Sequence, residues 1–182
     1  MLGGVMNTAF FYALILALSN IVLSLAGFFL GYQTDKIMQG RWFVILSVVA
    51  VIVVLWLGIK AAREEAKDKS LSYGKGVSTG FLITLYASLI STVYGFIHFK
   101  YINPNFVDYQ IDAAREKWAQ AGLSDAQMET AEKGMRLFMS PVLMSITGFL
   151  MSLLLGLVIA LILSAFLKRQ PEAIAEATPP VM

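Results

Sequence analysis

The stretch from Pro141 to Leu167 constrains this chain more than any other, because it is the longest apolar run and the most regularly marked. Gly148, Ser152, Gly156, Ala160 and Ser164 recur along it every four residues. Four-residue spacing holds small side chains on one helical face, where two backbones approach closely and gain dispersion contacts. That face is expected to be an interhelical seam. The other faces carry Phe149, Leu150, Leu153, Leu154, Leu157, Ile159 and Leu163, which suit hydrocarbon or neighbouring helices.

A run of this kind belongs in a bilayer, and the composition agrees: 58% of the residues are hydrophobic and 14% charged, too apolar a balance for a soluble domain of 182 residues. The net charge of +2 is too small for a nucleic-acid partner, and the basic residues gather beside apolar runs rather than along one stripe. Cysteine is absent, which excludes disulfides, thiol nucleophiles, iron–sulfur ligation and a lipoprotein anchor.

Three further runs are long enough to span. The first covers about residues 9–31, ~35 Å of helix against a ~30 Å hydrocarbon core. Ala13, Ala17, Asn20, Ser24, Gly27 and Gly31 follow steps of four and three along it, as one packing seam requires, with Gly27 and Gly31 forming a GxxxG pair. Ser24 and Ala26 also resemble residues before a signal-peptide cleavage site, although no basic region precedes the run. The second run, about 42–59, is rich in Val and Ile, with Ser47 its only internal polar residue, so it is expected to face lipid. Trp42 and Trp56 stand near its two ends, where amphipathic rings favour the headgroup boundary.

Lys60 to Ser70 reads as a polar helical extension, with Glu65 and Lys69 spaced for an i,i+4 pair. Ser72-Tyr73-Gly74-Lys75-Gly76 then leads into the third run, about 77–98. GxxxxGK[ST] is absent, so a turn with a headgroup-contacting Lys75 is expected in place of a nucleotide loop. The third run is the most polar, with Ser78, Thr79, Thr84, Tyr86, Ser88, Ser91, Thr92 and Tyr94. Gly80, Thr84, Ala87, Ser91 and Gly95 mark a seam on it, so the hydroxyls read first as interhelical glue and second as the lining of a polar cavity. His98 has no His, Cys or carboxylate companion on its span and reads as an interfacial residue, not a metal ligand or catalyst.

Residues 101–139 form the one sizeable extramembrane segment. Asn103-Pro104 breaks the third helix. Phe106, Tyr109, Ala113 and Trp118 share a face of one short amphipathic helix, which Gly122 ends. Ser124 with Gln127 fits a capping box for a second, whose apolar stripe is Met128, Ala131, Met135 and Phe138. Ser140-Pro141 then supplies a cap and a first-turn proline for the fourth span. The acidic residues here match no calcium loop and read as a solvated surface. The expected architecture is all-α: a single domain over 1–169, with spans at about 9–31, 42–59, 77–98 and 141–167 in a four-helix bundle and two short amphipathic helices between the last two. Residues 170–182 read as a disordered tail.

Four spans place both termini and the Lys60 to Lys75 loop on one side. That loop concentrates Lys60, Arg63, Lys67, Lys69 and Lys75, whereas the long loop dilutes its basic residues among six acidic ones, Asp108, Asp112, Glu116, Asp125, Glu129 and Glu132. The density of positive charge therefore puts both termini in the cytoplasm. A reporter fused after Met182 is expected to be active only there; external activity would reverse the orientation.

The order of spans, the Ser72-Tyr73-Gly74-Lys75-Gly76 lead into Gly80-Phe81-Leu82-Ile83-Thr84-Leu85, the Tyr101-Ile102-Asn103-Pro104 turn, and the Ser140-Pro141 entry ending in Ser164-Ala165-Phe166-Leu167-Lys168-Arg169 resemble a bacterial membrane-protein family, the domain of unknown function numbered 4199. The resemblance covers nearly the whole chain up to Gln170. It implies a bacterial inner-membrane protein of four helices and carries over no functional residue or cofactor.

The small-residue seams and the lack of charge inside the spans make a non-enzymatic accessory or assembly subunit the first expectation, with membrane lipids and a membrane-protein partner or a second copy as its partners. Its packing would rest on Gly27, Gly31, Ala87, Ser91, Gly95, Gly148, Ser152, Gly156 and Ala160. The alternatives are a binder of lipid or polyprenyl-linked substrate, using the third-span hydroxyls and the amphipathic segment, and a small-solute permease; Asn20, Lys75, Tyr86, His98 and Trp118 are the candidate polar or lipid contacts. A polar chamber at mid-depth would count against the first.

Overall fold

The computed structural model describes residues 2–66 and 68–169, residues 2–6 by backbone alone. The expected tail, 170–182, lies outside the described residues. Among the described residues six α-helices follow one another: α1 (Leu2–Phe29), α2 (Arg41–Glu64), α3 (Tyr73–Ile97), α4 (Phe106–Gln120), α5 (Asp125–Phe138) and α6 (Pro141–Leu167). A 3₁₀ turn at Ile37–Gln39 precedes α2 and a π turn at His98–Ile102 extends α3. Four of these stretches, Asn7–Phe29, Ile37–Glu64, Tyr73–Ile102 and Pro141–Leu167, are long and apolar enough to cross a membrane.

Helix ends follow local chemistry. Gly31 takes a φ of +83°, and the amides of Gly31 and Tyr32 donate to the carbonyls of Phe28 (3.0 Å) and Gly27 (2.8 Å), closing α1 in a Schellman motif. Gly31 was expected in a packing seam with Gly27. It lies beyond the helix instead, because a left-handed residue ends the repeat on which a seam depends. The extension after residue 59 reaches only Glu64, and Lys69 has a φ of +49° outside any helix. The i,i+4 geometry expected of Glu65 and Lys69 is therefore lost, and Glu65 accepts a hydrogen bond from Thr8 instead. Ser72, Ser124 and Ser140 cap α3, α5 and α6, with both halves of the capping box present at Ser124 and Gln127 and Pro141 in the first turn of α6.

α3 is the central helix: it packs most extensively on α6, then on α1, and also on α2, which touches the other three. One apolar core joins Ala9, Ala13, Leu16 and Ala17 of α1 to Val54 and Leu55 of α2, Ile83 and Ala87 of α3 and Ile159 of α6. α1 is thus an integral part of that core. A smaller cluster of Ile59, Leu71 and Leu167 sits where α2, α3 and α6 converge. There Leu71 and Arg169 exchange backbone hydrogen bonds of 2.8 and 3.0 Å as an isolated antiparallel bridge, tying the α2–α3 connection to the end of α6.

α4 and α5 pack on each other, and α4 touches the 3₁₀ turn before α2. Arg115 bonds Glu132, and Arg136 bonds both Glu132 (3.0 Å) and Asp108 (2.7 Å). The hydrogen bond from Arg115, then that from Arg136, holds the Glu132 carboxyl below the usual carboxylate range. A carboxylate depressed in the folded state stabilises it above the unfolded pKa of about 4.3 and ceases to as pH falls through the folded value. Amide exchange in α5 is therefore expected to accelerate relative to α3 as pH is lowered below about 4. A constant ratio of the two rates after correction for intrinsic exchange would show that these ion pairs do not hold α5 to α4.

Candidate functional site

α3 and α6 meet along layers four residues apart because both carry small residues at that spacing. Gly76 meets Ser164, Gly80 meets Ala160 and Thr84 meets Gly156. A Cβ on Gly80 would stand 2.5 Å from the Ala160 Cβ, and one on Gly156 would overlap the Thr84 side chain. In the next layer the hydroxyls of Ser88 and Ser152 lie 2.7 Å apart. Beyond it the seam parts. A Cβ on Gly148 would find nothing within 4 Å, and one on Gly95 only the Ser145 hydroxyl at 4.0 Å.

The parting opens a cleft of about 250 Å³ among all four long helices, lined by Leu16 and Asn20 of α1, Val51 of α2, the α3 face from Thr84 to Gly95 and the α6 face from Met144 to Leu155. It begins near the middle of the spans and runs to Phe99 at the α3 end, ~20 Å along the helix axis. A drug-sized site is typically about 300–1,000 Å³, so the cleft suits one chain or one polar group of a larger molecule. Among the described residues that line it none is charged. An ion without a counter-charge is disfavoured at this depth.

The cleft's hydroxyl protons are mostly engaged within its own walls. Thr84 donates to the Gly80 carbonyl (2.9 Å), Thr92 to Ser88 (2.7 Å), Ser145 to Pro141 (2.7 Å) and Ser152 to Phe149 (2.9 Å). A hydroxyl has one proton, so Ser88 must be the donor in its bond to Ser152. Asn20 Oδ1 is buried with no hydrogen-bond partner. An acceptor left so costs about 1–3 kcal/mol. Ser164 Oγ is also buried without a partner, but it lies in the closed part of the seam, under Gly76. Asn20 lines the cleft with other atoms, while its Oδ1 has no surface open to it.

A second polar cluster closes the same end of the helices. His98 is fully buried, its Nε2 2.8 Å from Gln33 Oε1 and its Nδ1 3.0 Å from the Tyr94 hydroxyl. Gln33 Nε2 donates to the Ser24 carbonyl at 2.9 Å, which leaves Oε1 to accept from His98. His98 is therefore the Nε2–H tautomer, and Nδ1 accepts from Tyr94. Asn103 Nδ2 donates to the Gln33 carbonyl at 3.2 Å. His98, read from the sequence as an interfacial residue, stands enclosed at the start of the π turn, where Phe28 and Phe99 meet the ring edge-on.

The other residues singled out in the sequence divide between the two regions. Gly156 and Ala160 lie in the closed seam, Ser152 at its last layer, and Ala87, Ser91, Gly95, Gly148 and Asn20 on the cleft. Gly27 lies under Phe43, whose ring would sit 3.5 Å from a Cβ there. Tyr86 packs against the apolar core and stacks edge-on with Phe10 (5.8 Å between centroids), away from the cleft. Lys75 is exposed in the first turn of α3, and Trp118 is half-buried on α4. Sequence reasoning missed Gln33 and Asn103; both stand in connections, where polar residues carry no signal of burial. Among the described residues no three His, Asp or Glu side chains gather as a metal site.

Four apolar helices joined by polar connections define a multi-pass membrane protein. A family model described as "Protein of unknown function (DUF4199)" matches residues 11–169, and the chain belongs to that family. No curated protein and no solved structure matches it.

Proposed function

We propose that this is a non-enzymatic bacterial inner-membrane protein whose four spans form a bundle that holds an uncharged amphiphile between α3 and α6. The observation that carries the reading is the cleft: a seam tightly closed from Gly76 to Ser152 parts at Gly148 into an elongated space with apolar walls and uncharged polar groups. Such a lining accepts a lipid chain together with a neutral polar group and disfavours an ion. The concentration of basic residues between Lys60 and Lys75 supports cytoplasmic termini, which places the cleft in the outer half of the bilayer. There the first residue of α4, Phe106, meets Phe99 at the end of the cleft, with 4.9 Å between ring centroids. An accessory subunit would need the seam for packing alone, and the parting at Gly148 favours binding over that role.

In mild detergent the wild-type protein is expected to retain an endogenous lipid-sized adduct by native mass spectrometry. Gly148→Leu, which puts a side chain into open space, should remove at least about nine-tenths of it by blocking the cleft. Equal adducts on both proteins, or none on either, would return the chain to the accessory-subunit reading.

A further inference from the structure

Resting on the reading of the α3–α6 cleft as an amphiphile site, we infer that its occupant is one hydrocarbon chain of a two-chain bilayer lipid of no net charge, entering sideways between α2 and α6 while the headgroup stays at the membrane surface. The two halves of α2 have different partners. Toward its C-terminus Val54 and Leu55 share a core with Ile159 of α6, and Ile59 joins Leu167. Toward its N-terminus α2 leans on α1 instead: the Phe43 ring stands 3.5 Å from the place of a Gly27 Cβ and tilts against Tyr32, 5.2 Å between centroids. α2 therefore leaves α6 as it runs alongside the cleft. On the α6 side of this gap Gly148 is exposed and Leu155 is 39% exposed although both line the cleft, and Val51 lines it from α2. Seven residues apart on one helical face, Gly148 and Leu155 mark one edge of the opening.

What stands outside that opening is hydrocarbon, because α2 and α6 are both long and apolar enough to span. Side chains stand at both ends of the cleft: Thr84 fills the space beside Gly156 near the middle of the spans, and at the other end the Phe99 ring is backed by Phe106. The side is the open way in. A chain already in the bilayer reaches it without crossing water, and the uncharged lining takes the chain while disfavouring a charged headgroup. At about 250 Å³ the space lies below that of a typical drug-sized site, which suits one chain and leaves the second outside.

The test uses the full chain in liposomes with two photoactivatable probes: a phosphatidylcholine with a diazirine at the end of one palmitoyl chain, and the single-chain methyl ester of the same diazirine acid. Labelled residues are located by peptide mass spectrometry. Both probes are expected to label Asn20 and Ser91, the half-buried residues with which α1 and α3 line the cleft, as well as Leu154 on the exposed face of α6. Leu155→Trp, which widens a side chain at the gap, and Gly148→Leu should each lose the label at Asn20 and Ser91 and keep it at Leu154. Label at Asn20 and Ser91 from the methyl ester alone would overturn the bilayer lipid as occupant and leave the cleft reading standing. Phosphatidylcholine label there undiminished in Leu155→Trp would overturn the gap as the entrance. Label there from neither probe, or label undiminished in Gly148→Leu, would overturn the inference and the cleft reading together.

Discussion

Replacing Gly156 with leucine should prevent the four long helices from assembling, whereas the same replacement eight residues earlier, at Gly148, should leave them assembled. The two glycines stand on one face of α6 and read alike in the sequence. Against α3 they differ completely. A Cβ at Gly156 already overlaps the Thr84 side chain, whose hydroxyl is tied to the Gly80 carbonyl at 2.9 Å, so Thr84 has little freedom to turn away. Relief requires α3 and α6 to separate, which would also open the close approaches at Gly80–Ala160 and Gly76–Ser164. Overpacking of a well-packed contact costs about 1–3 kcal/mol, and coupling across three layers puts Gly156→Leu at or above the upper end. Gly148→Leu meets nothing within 4 Å of its Cβ, and its stability should lie within about 0.5 kcal/mol of wild type. Thermal unfolding in detergent, followed by size exclusion, reads both. A Gly156→Leu protein as stable as wild type would mean that the seam is not what joins α3 to α6.

That contrast marks how far the sequence could be read. The positions of the long helices, the caps at Ser124 and Ser140 and the small-residue face of α6 follow from local patterns, because periodicity and capping depend on residues within one turn of each other. Whether a small residue closes a contact or borders a space depends on the partner helix, and the spacing of Gly148 and Gly156 is the same in either case. Gly31 shows the other side of this ambiguity: a glycine four residues after another fits both a packing motif and a helix terminator, and its φ of +83° belongs to the second. Asn20 was visible as the most polar group of its span. That its oxygen lacks a partner is a fact of three neighbouring helices, and no local pattern carries it.

The buried cluster around His98 should respond as strongly to the loss of Gln33 as to that of the histidine itself. Gln33 stands in the α1–α2 connection and joins two helices: its Nε2 bonds the Ser24 carbonyl of α1, and its Oε1 accepts from His98 after α3. Gln33→Leu removes both bonds and leaves the Nε2–H of a fully buried histidine without an acceptor. The net loss of two hydrogen bonds, at about 1 kcal/mol each, and an orphaned donor, at about 1–3 kcal/mol, sum to about 3–5 kcal/mol. His98→Phe alone leaves Gln33 Oε1 without a donor and the Tyr94 O–H without its Nδ1 acceptor and should cost a similar amount. Combining the two substitutions removes donor and acceptor together, so the double variant should be more stable than the sum of the single losses by about 1–3 kcal/mol. Equilibrium unfolding of the four proteins in one detergent closes the cycle. Strict additivity would show that Gln33 and His98 act independently, against the 2.8 Å hydrogen bond between the part-buried glutamine and the buried histidine.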